Sequence, residues 1–332
     1  MKIFNIQEND ANQRLDKFLK KLFPLATRGL LYKLNRTNKV KVNKKKEDNE
    51  YKLKIGDEIR IFLQDEDFVK LSKSSPNSKI PTNVKGIEMK KLNKKDIVFE
   101  DAGLLVINKN PGVNVHPGDH KTKEISLIDQ VQDYLGDKLN SLTFRPSLAH
   151  RIDRDTSGIV VIAKKKDILT RLVEDFKSHK NIKKFYLAVV SGVLKEKEGI
   201  INKKIERIID AKNENKVKIS NEGQSAITHY KVLREFQYVN EKFSLLEIEI
   251  KTGRMHQIRV HLENLGHPII GDKTYGNKSL NHYLSKELGV NRQFLHASRI
   301  EFTNYGSGKK ITLEAKLKDD MNDFFSKMNN IE

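Results

Sequence analysis

The sequence predicts an α+β protein: a mixed, mainly antiparallel sheet with flanking helices, preceded by a small basic helix-helix-strand module. Three observations predict this. Apolar runs of strand length recur at 97–99, 104–107, 159–163, 186–190 and 245–250. Leu15, Phe18, Leu19 and Leu22, then Leu30, Leu31 and Leu34, repeat at helical spacing within the first 63 residues. Between these regions, residues 66–94 are rich in Ser, Asn, Pro and Lys and lack apolar periodicity, which marks a linker. The expected organisation is therefore a module over 1–65, a linker over 66–94 and a larger domain over 95–332.

In the module, the first helix is followed by a second after Thr27. Val40 and Val42 alternate, Asn43 to Asp48 form a polar turn, Tyr51 and Leu53 alternate, and a strand over Ile59 to Leu63 follows Gly56-Asp57. Sixteen Lys and Arg against eight Asp and Glu give these 63 residues a net charge of +8. Lys17, Lys20, Lys21, Arg28, Lys33 and Arg36 lie on or beside the helices. Solvated helix faces are commonly charged; the single sign here favours a face that tracks phosphates. The module resembles the small alpha-L (S4-like) RNA-binding domain, through Val42-Asn43-Lys44-Lys45 and the later Gly56-Asp57.

The whole chain of 332 residues carries a formal charge of +19, which ranks nucleic acid first among partners. A lysine-rich proteome would also inflate that figure. Cysteine is absent, excluding disulfides, thiolate nucleophiles and Cys-based metal sites. The opening residues lack the apolar segment of a secretory signal, and no apolar run approaches bilayer length. With a mean hydropathy of −0.61, a soluble, cytoplasmic protein without membrane association is expected, and a monomer is assumed.

The densest polar constellation is His150-Arg151-Ile152-Asp153-Arg154-Asp155-Thr156-Ser157-Gly158, which runs directly into the apolar strand 159–163. A loop anchored to a buried strand positions reactive groups well. Arg151 and Arg154 flank Asp153, a setting that favours an ionised carboxylate able to act as a nucleophile. An isolated loop aspartate would more simply cap a turn. Asp155 is expected to hold backbone amides or a neighbouring arginine. Asp153 and Asp155 also form an Asp-x-Asp pair of the kind metal-dependent transferases use, but the flanking arginines would repel a divalent cation.

A second constellation, Thr252-Gly253-Arg254-Met255-His256-Gln257-Ile258-Arg259-Val260-His261, follows a strand in which Leu246, Ile248 and Ile250 alternate with charged residues. A helix is expected from about Arg254, with Ile258, Leu262 and Leu265 on its apolar face and His256, Arg259 and Glu263 on another. Arg259, charged at any accessible pH, suits pairing with a carboxylate in a partly desolvated pocket. His256 and His261 are five apart and do not stack on one helical face, so contacts to phosphate or base, or plain helix surface, fit them better than zinc. Arg254 suits either a phosphate contact or a structural pair. In Lys183-Lys184-Phe185-Tyr186-Leu187-Ala188-Val189-Val190 a strand places Tyr186 opposite its neighbours. A strand tyrosine is commonly a packed aromatic; beside a flipped base it offers a ring face and a hydroxyl.

Together these segments resemble the RluA/RluC family of pseudouridine synthases. HRIDRDTSG matches the family signature with Ile152 for the usual Leu, and KFYLAVV and TGRMHQIRVH match its second and third motifs. GHPIIGDKTYG and FLHA match flanking segments, while INKNPGVNVHPG resembles the opening motif with Lys109-Asn110-Pro111 in place of Lys-Pro. The resemblance spans nearly the whole chain. It implies the pseudouridine synthase fold and isomerisation of uridine without metal or organic cofactor. It further implies that Asp153 is the catalytic aspartate, that Tyr186 stacks on the uracil and assists proton removal, and that Arg259 pairs with Asp153. Arg151 would enter the RNA stack as the base flips out, and Arg254 and His256 would contact RNA. The context of the signature looks most like the RluC branch, which acts on large-subunit ribosomal RNA, with the RluD branch as the alternative. A non-catalytic RNA-binding or ribosome-assembly factor of the same fold is the rival reading. One carboxylate is chemically sufficient, because uracil can leave as a delocalised anion and needs no second acid of the glycosidase type.

Overall fold

The computed structural model describes residues 1–72, 91–117, 124–136, 141–209 and 215–330. The chain divides into two compact units: Met1–Leu92 with Ile128–Ser147 and Lys164–Asp167, and Asn93–Leu127 with Leu148–Ala163 and Ile168–Glu332.

In the first unit, β1 (Lys2–Asn5) is followed by α1 (Leu15–Leu22), α2 (Arg28–Arg36), β2 (Val40–Val42), β3 (Glu58–Ile61) and α3 (Asp65–Ser72). The strands form an antiparallel sheet in the order β1-β3-β2. The apolar spacing of α1 and α2 buries Leu15, Phe18, Leu19, Leu31 and Leu34 against Val40, Val42, Ile59 and Ile61. Each such side chain removed from water contributes about 1.5–3 kcal/mol. Thr27 caps α2 by accepting the Leu30 amide. Tyr51 to Leu53 form no strand; Lys52 makes an isolated bridge to Arg14.

The 66–94 stretch is not wholly a linker. Its first residues belong to α3, where Phe68 and Leu71, three apart, pack on the same core. Phe68 stacks on Phe4 and meets Phe23 edge-on, at centroid distances of 5.9 and 5.2 Å. The rest of that expectation falls mostly at 73–90, outside the described residues. Asp10, fully buried, gathers four hydrogen bonds, from Ser141 Oγ, the Leu142 and Thr143 amides and Thr143 Oγ1.

The second unit is built on a large sheet. It opens with β4 (Ile97–Glu100) and β5 (Leu104–Lys109). In chain order α4 (Leu127–Leu135) comes next and belongs from Ile128 onward to the first unit, as do the first residue of β6 (Ser147–Leu148) and the first two of α5 (Lys166–Ser178); β7 (Ser157–Ala163), between β6 and α5, and then β8 (Ile182–Ser191) and β9 (Glu198–Asn202) belong to the second. A separate hairpin, β10 (Ile205–Ile209) and β11 (Asn215–Ile219), precedes β12 (Ile227–Tyr238), β13 (Glu241–Ile250) and α6 (Gln257–Asn264). The chain closes with α7 (Lys278–Leu288), β14 (Leu295–Asn304), β15 (Lys309–Glu314), α8 (Asp319–Ser326) and β16 (Asn329–Asn330).

The main path is β16-β12-β13-β8-β14-β7-β5-β4, with β15 on β14, β6 on β7 and β9 on β12. Strand β14 runs parallel to β7, while β4–β5, β5–β7, β8–β14, β8–β13, β12–β13 and β14–β15 pair antiparallel, so the sheet is mixed and mainly antiparallel, as expected. Every residue of β5 and β7 is buried, which accounts for their unbroken apolar runs. Around Gly158 the parallel strands approach so closely that a Cβ would lie 2.2 Å from the Ala297 carbonyl oxygen; its φ of +109° also needs glycine. An aromatic core of Phe236, Phe243, Phe294 and Phe324 packs with Leu284 and Leu288 of α7.

Candidate active site

The signature loop is pinned residue by residue. The Thr156 amide closes a turn on the Asp153 carbonyl at 3.2 Å. Lys109, 1 % exposed, donates to the carbonyls of Asn110, Val113 and Arg154 at 2.8, 2.9 and 2.8 Å. Burial pulls the Lys109 ammonium down to about 7, and those carbonyls take the place of its water shell. Arg292 reaches the Asp155 carbonyl, Gln293 donates to Thr156 Oγ1, and Ser157 Oγ bonds His296 Nδ1 at 2.9 Å. Asp155 is thus gripped through its backbone, not, as expected, through its carboxylate. Arg154 turns away from Asp153 to Glu124, at 3.0 Å.

Helix α6 begins at Gln257, three residues later than expected, because the Gln257 side chain organises the preceding turn. Its Oε1 accepts from Thr252 Oγ1 and the Arg254 amide, and its Nε2 donates to the Ile227 carbonyl and Thr228 Oγ1. His256 sits before the helix in the left-handed region, at φ 50°. The face expected to be apolar is also shifted: Leu265 is exposed, while Arg259 is buried. His261 is neither helix surface nor an RNA contact, because it is fully buried between Thr228 Oγ1 and the Lys203 carbonyl.

Arg259 Nη1 donates to Asp153 Oδ2 at 3.0 Å. Its Nε and Nη2 are taken by the two oxygens of Asp272, at 2.7 and 3.0 Å. Burial opposes the charged guanidinium, but the hydrogen bonds and charge of Asp272, supported by Asp153, outweigh it and raise its pKa. Burial likewise works against Asp272, and Arg259 with the Tyr275 and Thr274 amides more than compensates, holding that carboxyl below its usual range. The Tyr275 ring lies 5.1 Å from the guanidinium, and its hydroxyl accepts the Val217 amide and bonds His256 Nδ1 at 3.0 Å. His256 Nε2 is 3.8 Å from Asp153 Oδ2. Burial pulls the His256 imidazole below its ordinary value against the opposing charge of Asp153.

Asp153, Tyr186 and Arg259 line one cavity of about 460 Å³, with Ile152, Ile250, Ile258 and Leu295 as apolar walls. Arg151, Arg207, Arg254 and His256 also line it. Tyr186 projects from β8, 8 % exposed; burial, then the charge of Asp153, drives its phenol up. Arg254 and Arg151 are exposed, and Arg254 spends only its Nε, on the Ser225 carbonyl. The structure therefore brings together the residues picked from three separated motifs. It adds Asp272, Tyr275 and Arg207, which the sequence reading did not single out. Among the described residues no three metal-ligating side chains converge, and no helix is long and apolar enough to cross a membrane.

Lys17, Lys21, Arg28, Lys33 and Arg36 belong to the first unit and are all exposed. Lys21 donates to Gln13 Oε1 at 2.9 Å, and partial burial lowers its pKa. The other four carry no ion pair among the described residues.

Residues 103–264 match the family model described as RNA pseudouridylate synthase, and residues 13–59 match that of the S4 domain. The chain is 36 % identical to the ribosomal large subunit pseudouridine synthase C of Buchnera aphidicola subsp. Baizongia pistaciae, over 94 % of this chain and 93 % of that protein. The chain belongs to the RNA pseudouridylate synthase family. The synthase is also 32 % identical to the Escherichia coli K12 protein named ribosomal large subunit pseudouridine synthase C, over 99 % of this chain and 97 % of that one. Its fold is shared by human RNA pseudouridylate synthase domain containing 1, with a TM-score of 0.58 and 23 % identity over 71 % of this chain and 88 % of that one. An isomerase, not a metal-dependent transferase or a bare binding factor, is the class this family membership gives the synthase.

Proposed function

We propose that this synthase isomerises uridines of large-subunit ribosomal RNA, with Asp153 as the catalytic carboxylate. The observation that carries the reading is the 3.0 Å contact from Arg259 to Asp153 in the cavity that Tyr186 also lines. Near full-length likeness to relatives named for the ribosomal large subunit supports the substrate. The synthase is taken to work as a monomer in the cytoplasm.

In the reaction the C1′–N1 bond of the target breaks, the uracil turns, and a C1′–C5 bond forms. C5 then loses its proton and N1 gains one, so no atom is gained or lost. Asp153 acts on the nucleoside as the glycosidic bond breaks, and Arg259 holds it in place. The apolar walls and the Tyr186 ring retain the detached base. Burial and the charge of Asp153 keep the phenol protonated, so the hydroxyl can accept the C5 proton only by passing its own on in the same step. Arg151 fills the gap left by the flipped base, while Arg254 and His256 contact the strand at the rim. The exposed cations of α1 and α2 track phosphates, a division between positioning and recognition common in RNA binding.

The test is to map pseudouridines in large-subunit ribosomal RNA from cells with and without the gene. Sites lost on deletion and restored by the wild-type chain support the proposal. An unchanged map contradicts it.

A further inference from the structure

Lys184 lies two residues before Tyr186 on β8, at a buried position of the same alternation, so both side chains project from one face of the sheet. Its ammonium donates to His179 Nδ1 at 3.0 Å and lies 5.9 Å from the centre of the Phe176 ring. Among the described residues no carboxylate pairs with it, although it is only 7 % exposed. A buried cation without a counterion is costly, and proteins usually supply a partner or a ligand.

The neighbours are also basic or neutral. His179 follows α5 in the left-handed region, at φ 57°, a conformation that costs free energy for a residue with a side chain. Because a lysine ammonium can only donate, His179 must accept through Nδ1 and carry its hydrogen on Nε2. Burial, then the charges of Lys184 and Arg254, hold that imidazole neutral, at about 4. The pair is overlaid by Gly253, which is exposed. A Cβ there would lie 3.7 Å from His179 Cε1 and 3.9 Å from Lys184 Nζ, so these atoms lie directly under a residue that has no side chain to screen them. Gly253 and Arg254 both line the cavity that holds Asp153.

We propose that Lys184, His179 and Arg254 form an anion subsite that grips a phosphodiester flanking the target uridine. Lys184 supplies a buried ammonium, His179 an Nε2–H donor and Arg254, held at the rim by its Nε on the Ser225 carbonyl, its two remaining nitrogens. This rests on the RNA-modifying reading above and adds to it a defined contact for the backbone of the flipped nucleotide. The uncompensated charge in the free protein is then the site waiting for its anion.

The test pairs Lys184→Met with RNA bearing one neutral methylphosphonate, placed on the 5′ or the 3′ side of a mapped target uridine. Lys184→Met should melt at the same temperature as wild type or higher, since it removes an unpaired buried charge. It should bind RNA about tenfold more weakly, with a salt dependence shallower by about 0.7 in log-log slope. Wild type should lose a similar factor with one of the two methylphosphonates, and Lys184→Met should lose nothing further with that RNA. Arg254→Gln, as a second variant, should show the same lack of additivity. Affinity within twofold of wild type, or full additivity with both methylphosphonates, would overturn the subsite. Wild-type conversion of the unmodified RNA in the same assay keeps this outcome separate from the test of the proposed function.

Discussion

Arg259 gives two of its three nitrogens to Asp272 and only one to Asp153, at 2.7 and 3.0 Å against 3.0 Å. The bidentate grip fixes the guanidinium plane and neutralises its buried charge. Asp153 is thereby positioned by a single N–H to Oδ2, and among the described residues no hydrogen bond engages its Oδ1.

Asp272→Asn should therefore release Arg259 without touching the RNA-binding surface. We expect kcat to fall about a hundredfold with RNA affinity within twofold, as for loss of a preorganised group. Leaving the guanidinium half-paired should also cost about 3 kcal/mol of stability. Single-turnover kinetics and denaturant melts check both, and full activity in a stable Asp272→Asn protein would refute the positioning role.

Tyr186→Phe keeps the ring and removes the hydroxyl. Turnover should drop at least about a hundredfold while RNA binding persists. Because the phenol is driven up, it stays protonated through neutral and mildly alkaline pH. The wild-type pH-rate profile should then show no alkaline limb due to this group between pH 7 and 9. A limb in that range that disappears in Tyr186→Phe would contradict the assignment.

Acid should weaken the fold through His296. This ring is fully buried, with Nδ1 on Ser157 Oγ and Nε2 on the Ala315 carbonyl, and burial holds it down to about 4. Below pH 6.5 the unfolded chain takes up a proton that the native imidazole refuses. Stability is thus complete above 6.5 and falls as pH drops toward 4, by about 1.4 kcal/mol per pH unit for this group. His296→Asn should lower the melting temperature at pH 7 but lose less between pH 7 and pH 4.5 than wild type. Parallel curves would show that His296 does not set the slope.

The exposed cations of α2 offer a further check. Replacing Arg28, Lys33 and Arg36 together by Gln should reduce the salt slope of RNA binding by about 2. The kcat at saturating RNA should be unchanged. Filter binding across a salt series reads this, and an unaltered slope would remove the module from the phosphate contacts.

The strands were legible because their apolar runs match buried positions, as in β5 and β7, and α1 and α2 because their leucines repeat every third or fourth residue. Asp153, Tyr186 and Arg259 were legible because each sits in a dense motif. Asp272 was not, since a lone aspartate after glycine reads as a turn residue until Arg259 is known to point inward. Lys109 and Lys184 were not singled out, because only the folded backbone reveals the carbonyls around one and the missing counterion of the other. Helix α3 escaped notice because Phe68 and Leu71 alone set its apolar side. The start of α6 was misplaced because a glutamine side chain, not a standard cap, shapes the turn before it.

The central claim is that Asp153 performs the chemistry and not the binding. It is tested most directly by purified Asp153→Asn on an RNA containing a mapped target uridine, with pseudouridine and RNA affinity measured on the same protein. The account predicts no detectable pseudouridine and an affinity within a few-fold of wild type. Conversion at a rate near wild type would contradict it.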